Sequence, residues 1–126
     1  MLIDEYFDQL ENVIHSSGSI YSSAITRDKR SEFTGYFRAD LYFLDGSSLH
    51  VREFVFTSSE IARDTYAYHY QPPAGQLVFR YDNTRHFPEL DNFPHHKHTP
   101  NSVVSSQGPD LQYTLEEATR FTTNTQ

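Results

Sequence analysis

Residues 33–56 read FTGYFRADLYFLDGSSLHVREFVF, and their phasing decides the fold. Phe37, Ala39, Leu41 and Phe43 fall on one side of an extended chain; Tyr36, Arg38, Asp40 and Tyr42 fall on the other. This alternation is that of a strand with one buried face. Asp45-Gly46 then signals a hairpin, because glycine accepts the positive φ that tight hairpin turns require. A tight turn closed by Asp45-Gly46 alone sets Leu41 opposite His50 and Arg38 opposite Glu53, a pairing of opposite charges. It also carries Phe54 and Phe56 onto the Phe37 face, which His50 and Arg52 interrupt, either as the edge of a cleft or as a hydrogen-bonded core pair.

A second hairpin follows. Tyr66, Tyr68 and Tyr70 alternate with Ala67, His69 and Gln71, and Pro72-Pro73-Ala74-Gly75 makes the turn. Leu77, Phe79 and Tyr81 then join the tyrosine face, leaving His69, Arg80 and Asp82 together on the other. Upstream, Leu2, Ile3, Tyr6, Phe7, Leu10, Val13 and Ile14 recur at helical spacing and predict a helix over 2–15, stopped by Ser16, Ser17 and Gly18. Ile20 to Thr26 reads as a first strand and Arg27 to Glu32 as a charged loop. Pro88, Pro94, Pro100 and Pro109 predict an irregular, extended cover over 83–112. Leu111 to Phe121 predicts a short closing helix, with a disordered tail over 122–126. The expected fold is α+β over one domain, 1–126. It has a single antiparallel sheet of about five strands, a meander of hairpins, with the N-terminal helix on one face and the short C-terminal helix closing the chain.

Composition narrows the function. The 126-residue chain has no cysteine, which excludes disulfides, thiolate metal sites and a cysteine nucleophile. A net charge of −7 argues against broad electrostatic capture of nucleic acid. From Gln76 to His98, however, Arg80, Arg85 and Lys97 balance Asp82, Glu89 and Asp91, with four histidines added. No apolar run approaches a membrane span, and the acidic N-terminus is not a signal peptide. A soluble, cytoplasmic protein without a cofactor is expected. No dinucleotide, P-loop, HExxH or GxSxG motif occurs.

Chemistry concentrates at His95-His96-Lys97-His98, which with His86 puts four histidines in thirteen residues. Imidazole gives and takes protons near neutrality and binds metals. One reading pairs a histidine base with a histidine acid, while Lys97 or Arg80 holds a phosphate. RNA cleavage of that kind needs no metal, since the substrate's own 2′-hydroxyl is the nucleophile. Asp82 would orient a histidine, and His69 lies on the same strand face. The catalytic candidates are therefore His69, Arg80, Asp82, His86, His95, His96, Lys97 and His98. A second reading makes His96, His98 and Asp82 a metal site for a nuclease or hydrolase. A third is a non-enzymatic binding module. The bland alternatives are a solvated histidine loop, and an Arg80–Asp82 ion pair closing the sheet edge. The tyrosines serve either as base-stacking platforms or as core.

Several ordered segments resemble one known family. These are Phe33-Thr34-Gly35-Tyr36-Phe37-Arg38, Leu41-Tyr42-Phe43-Leu44-Asp45-Gly46-Ser47, Arg52-Glu53-Phe54-Val55, Tyr68-His69-Tyr70-Gln71, Phe79-Arg80-Tyr81-Asp82-Asn83 and Phe93-Pro94-His95-His96-Lys97-His98. Together they resemble the TumE-like prokaryotic toxins over roughly residues 2–120. The resemblance implies the toxin of a type II toxin–antitoxin pair, beside a helix-turn-helix antitoxin, with RNA as a candidate substrate. His86-Phe87-Pro88 departs from the pattern, where a second histidine is expected after the first. The acidic helix face of Asp4, Glu5, Asp8 and Glu11 is a candidate dock for a basic antitoxin segment.

Overall fold

A computed structural model describes residues 1–122. Helix α1 (Ile3–His15) leads into strands β1 (Ile20–Ser31), β2 (Thr34–Phe43), β3 (Ser48–Phe56), β4 (Ala62–Gln71), β5 (Phe79–Asp82), β6 (His96–His98) and β7 (Val103–Ser105), and helix α2 (Leu111–Phe121) closes the chain. The strands form one antiparallel sheet in strict chain order. The α+β architecture and both helices are as the periodicity predicts. The sheet has seven strands rather than five.

Both helices pack on one face. The apolar side of α1 (Ile3, Tyr6, Phe7, Leu10 and Ile14) is buried there, with Phe7 against Phe37. The core continues through Ala39, Leu41, Val51, Tyr68 and Phe79 to Leu111, Leu115 and Ala118 of α2. Tyr66, Tyr68, Tyr70 and Tyr81 are all buried, so they are core and not a stacking platform. Each fully buried ring of this kind contributes on the order of 2–3 kcal/mol of hydrophobic stabilisation.

Three sequence expectations fail for physical reasons. The first concerns the β2–β3 loop, which is Leu44-Asp45-Gly46. The Phe43 amide donates to the Ser47 carbonyl at 2.9 Å, and Gly46 takes φ of 86°. One added loop residue shifts the register by one and swaps the faces of β3. Glu53 rather than Phe54 therefore joins Phe37 inside, Arg38 faces Arg52, and Asp40 faces His50. The expected Arg38–Glu53 pair does not form.

Next, β1 runs on through residues 27–31, read from sequence as a loop. Arg27 and Lys29 point to the helix side, where Arg27 pairs with Asp8 (2.7 Å) and Glu11, and Lys29 with Asp4 at 2.9 Å. These pairs occupy three of the four acids of the expected docking face. The fourth, Glu5, accepts from the Leu2 amide.

Finally, the histidine cluster is not a loop. His96-Lys97-His98 alternates like a strand, and the exposed edge of β5 supplies its partners. The predicted cover over 83–112 is irregular at 83–95, 99–102 and 106–110, which hold Pro88, Pro94, Pro100 and Pro109, and is interrupted by β6 and β7. Of the expected tail, Thr122 caps α2, and 123–126 lie outside the described residues.

Candidate functional site

Because side chains alternate across strands, the sheet face away from the helices carries the polar set. Cross-strand pairing arranges it in rows. One row runs Asp40, His50, His69, Arg80, His98, one residue from each of β2 to β6. Beside it runs Arg38, Arg52, Ala67, Asp82, His96. Arg80 stands between His69 and His98, whose backbones are therefore about 10 Å apart, two strand spacings. A groove of about 410 Å³ opens over these rows, lined by Arg38, Asp40, His50, Arg52, His69 and Arg80 and floored by Ala67.

The groove is electropositive on an acidic protein. Among the described residues Arg38 and Arg52 make no ion pair. His50 donates from Nδ1 to Asp40 at 2.7 Å, and its other ring nitrogen meets the Ser48 hydroxyl at 3.2 Å. Burial, then the charge of Arg80, pushes the pKa of His69 down, so this imidazole stands in its neutral, proton-accepting form at neutral pH. Burial likewise lowers His98, against the opposing pull of Asp82.

At one end of the rows, Asp82, His96 and His98 converge. Asp82 Oδ2 accepts from Arg80 Nε at 2.9 Å, and Oδ1 accepts from the Thr84 amide (3.1 Å) and hydroxyl (2.8 Å). Burial alone would raise Asp82, but these bonds and the nearby His96 outweigh it and hold the carboxyl below its ordinary value. His96 is 1% exposed. Its Nδ1 lies 3.0 Å from the Pro94 carbonyl, which can only accept, so Nδ1 carries the proton. Nε2 lies 2.8 Å from Asp82 Oδ1 yet makes no aligned hydrogen bond. His98 Nε2 is 3.6 Å from Oδ2. The cover folds Phe87 onto both rings, 5.0 Å from His96 and 5.9 Å from His98.

The structure thus brings together His69, Arg80, Asp82, His96 and His98. It separates the other sequence candidates. Lys97 points to the helix face, pairing with Glu117 at 2.8 Å and lying over Phe79 and Tyr81. His95 stacks on Tyr66, whose hydroxyl its Nδ1 meets at 2.8 Å, and burial lowers its pKa. His86 sits exposed on the cover beside Phe87. Sequence reasoning left Arg38 out of the site because the one-residue register error paired it with Glu53. The signal for it was the αL glycine ending a three-residue Leu44-Asp45-Gly46 loop. Of the two readings open for His50 and Arg52, the cleft edge is the one observed.

A larger cleft, about 700 Å³, lies between the end of α1 and α2. Among the described residues its only ionisable lining residue is Glu116, which has no second titratable group to pair with as acid and base. None of the described helices is long and apolar enough to cross a membrane.

An α+β protein with helices on one sheet face and a histidine–arginine array on the other defines an architecture, which by itself hosts many activities. The family profile described as Toxin TumE matches residues 10–126, and the chain belongs to that toxin family. A toxin of this kind implies an antitoxin partner. No curated protein and no solved structure matches the chain.

Proposed function

We propose that this toxin cleaves RNA on the polar sheet face. The observation that carries the reading is the row His69–Arg80–His98, whose first two members line an open groove with Arg38 and Arg52 on an otherwise acidic protein. Arginine forks match phosphate oxygens, so the three arginines suit successive backbone phosphates. His69, neutral at neutral pH, takes the proton from a 2′-hydroxyl as that oxygen attacks the adjacent phosphorus. Arg80 holds the non-bridging oxygens as charge develops. The departing 5′-oxygen takes a proton from water at the His98 end of the row, and the hydroxide left behind is neutralised by the proton that His69 took up. The products are a 2′,3′-cyclic phosphate and a 5′-hydroxyl. The antitoxin partner is proposed to carry a helix-turn-helix, which the reading frame beside the gene tests.

Antitoxin-free protein incubated with mixed RNA should yield cyclic-phosphate ends. His69→Ala should lower the rate by about 100-fold, the scale of a lost general base, with an unchanged thermal melt. Absence of cleavage across varied RNAs, together with full toxicity of His69→Ala in cells, would falsify the reading.

A further inference from the structure

We infer that Asp82, His96 and His98 bind one divalent transition-metal ion, through an Nε2 of each imidazole and a carboxylate oxygen. The sequence favours a metal-free site; the convergence of these three side chains argues otherwise. One donor atom from each lies within 4.8 Å of the other two. Two ligands each about 2.1 Å from a shared ion lie about 3.0–3.4 Å apart. The separations of 2.8 Å from His96 Nε2 to Asp82 Oδ1 and 3.6 Å from His98 Nε2 to Asp82 Oδ2 bracket that span, each imidazole lying nearest a different oxygen of the one carboxylate.

The second observation is the unpartnered atom. Nε2 of His96 is buried without a hydrogen bond, although Asp82 Oδ1 is only 2.8 Å away. With its Nδ1–H directed at the Pro94 carbonyl, the ring leaves Nε2 as the atom that faces Asp82. A ring nitrogen and a carboxylate oxygen this close must share a cation, either a proton or a metal ion. The oxygen lies off the ring nitrogen's bonding axis, which is poor for a hydrogen bond. It is suitable for a ligand joined to the nitrogen through an ion on that axis.

The surroundings match what metal-binding imidazoles and carboxylates have around them. A ligating histidine donates its other ring N–H to a backbone carbonyl, as His96 does to Pro94. A ligating carboxylate is held by hydrogen bonds, as Asp82 is by Arg80 and Thr84. His98, 27% exposed, leaves a path to solvent, while Asp82 and His96 are sealed. Two imidazoles and one carboxylate favour zinc or ferrous iron over magnesium or calcium. The ion site stands whether or not the groove cuts RNA. That a water on the ion supplies the proton at the His98 end is a consequence that does rest on the ribonuclease reading.

Metal binding tests the site without any RNA. Chelator-stripped full-length protein is titrated with Co2+, then with Zn2+, and followed by calorimetry and by Co2+ visible absorption. One equivalent per chain is expected. His98→Ala, at the solvent side, and His96→Asn should each weaken binding at least tenfold, with thermal melts checked in parallel. His95→Gln, on the opposite face, should leave affinity unchanged. Less than half an equivalent bound by wild type overturns the site. So does equal affinity in wild type and a folded His98→Ala. Binding that is intact alongside absent RNA cleavage retains the site and rejects the ribonuclease reading.

Discussion

Arg38 stands directly opposite Arg52 across β2 and β3. Like charges facing each other on a sheet destabilise it by up to about 1 kcal/mol. Such a pair belongs on a surface that meets an anion. Replacing Arg52 with Gln should leave stability unchanged or raise it by about 0.5 kcal/mol. The same change should weaken RNA binding about tenfold and flatten its salt dependence. Chemical denaturation and filter binding at two salt concentrations check both signs. A stability loss with unchanged binding would contradict the role given to the groove.

Lys97 lies in the histidine cluster by sequence but on the aromatic face by structure. Lys97→Gln should therefore cost stability, about 1–3 kcal/mol for a charged hydrogen bond lost beside Glu117. Toxicity per folded molecule should be unchanged. His69→Ala should do the reverse. Paired denaturation curves and growth assays normalised to soluble protein separate the two.

Gly35 is held by proximity. A Cβ there would lie 2.7 Å from the Phe7 ring and 3.1 Å from the Asp28 carbonyl. Phe7 is fully buried against Phe37 and has no room to retreat. Gly35→Ala should cost about 1–3 kcal/mol by overpacking. Truncating Phe7 in the same chain should make the alanine cheaper to accept, a non-additivity that a double-mutant cycle reads directly.

Glu53 gives a pH dependence of calculable sign. It is buried under α1 and accepts from Tyr6 and, at 2.5 Å, from Tyr68. Burial raises its pKa, and the tyrosine bonds and Arg63 only partly offset that. A carboxyl with a raised folded pKa contributes its stability below the unfolded value and loses it as pH rises through the folded value. Wild type should therefore lose stability relative to Glu53→Gln as pH increases from about 4.5 toward neutrality. Melting curves of both proteins across that window test it. A difference that moves the other way would mean the tyrosines and Arg63 dominate.

Much of the fold is legible because the burial periods are clean. The apolar stripe of α1 and the alternation of β2 and β4 each report one buried face, and Leu111 to Phe121 forms the helix its spacing predicts. Register is harder to read, since it turned on one loop residue at Leu44 whose neighbours are compatible with either hairpin. The site was half legible. Phasing of β4 and β5 put His69, Arg80 and Asp82 on one face. His96 and His98 joined them only because a three-residue strand paired with β5, and so short a run flanked by prolines reads as loop. Arg38 was lost to the same register error that misplaced Glu53.

The sheet is wound in strict chain order, so each strand pairs with the segment just before or after it. Closing such pairs involves little loop entropy. The helices are placed otherwise. They come from opposite ends of the chain, which meet where the hydroxyl of Ser19, just past the end of α1, contacts that of Thr119 on α2 at 3.0 Å. Trimming the chain from either terminus thus uncovers the aromatic side first, while the His69–Arg80–His98 row keeps every one of its strand partners.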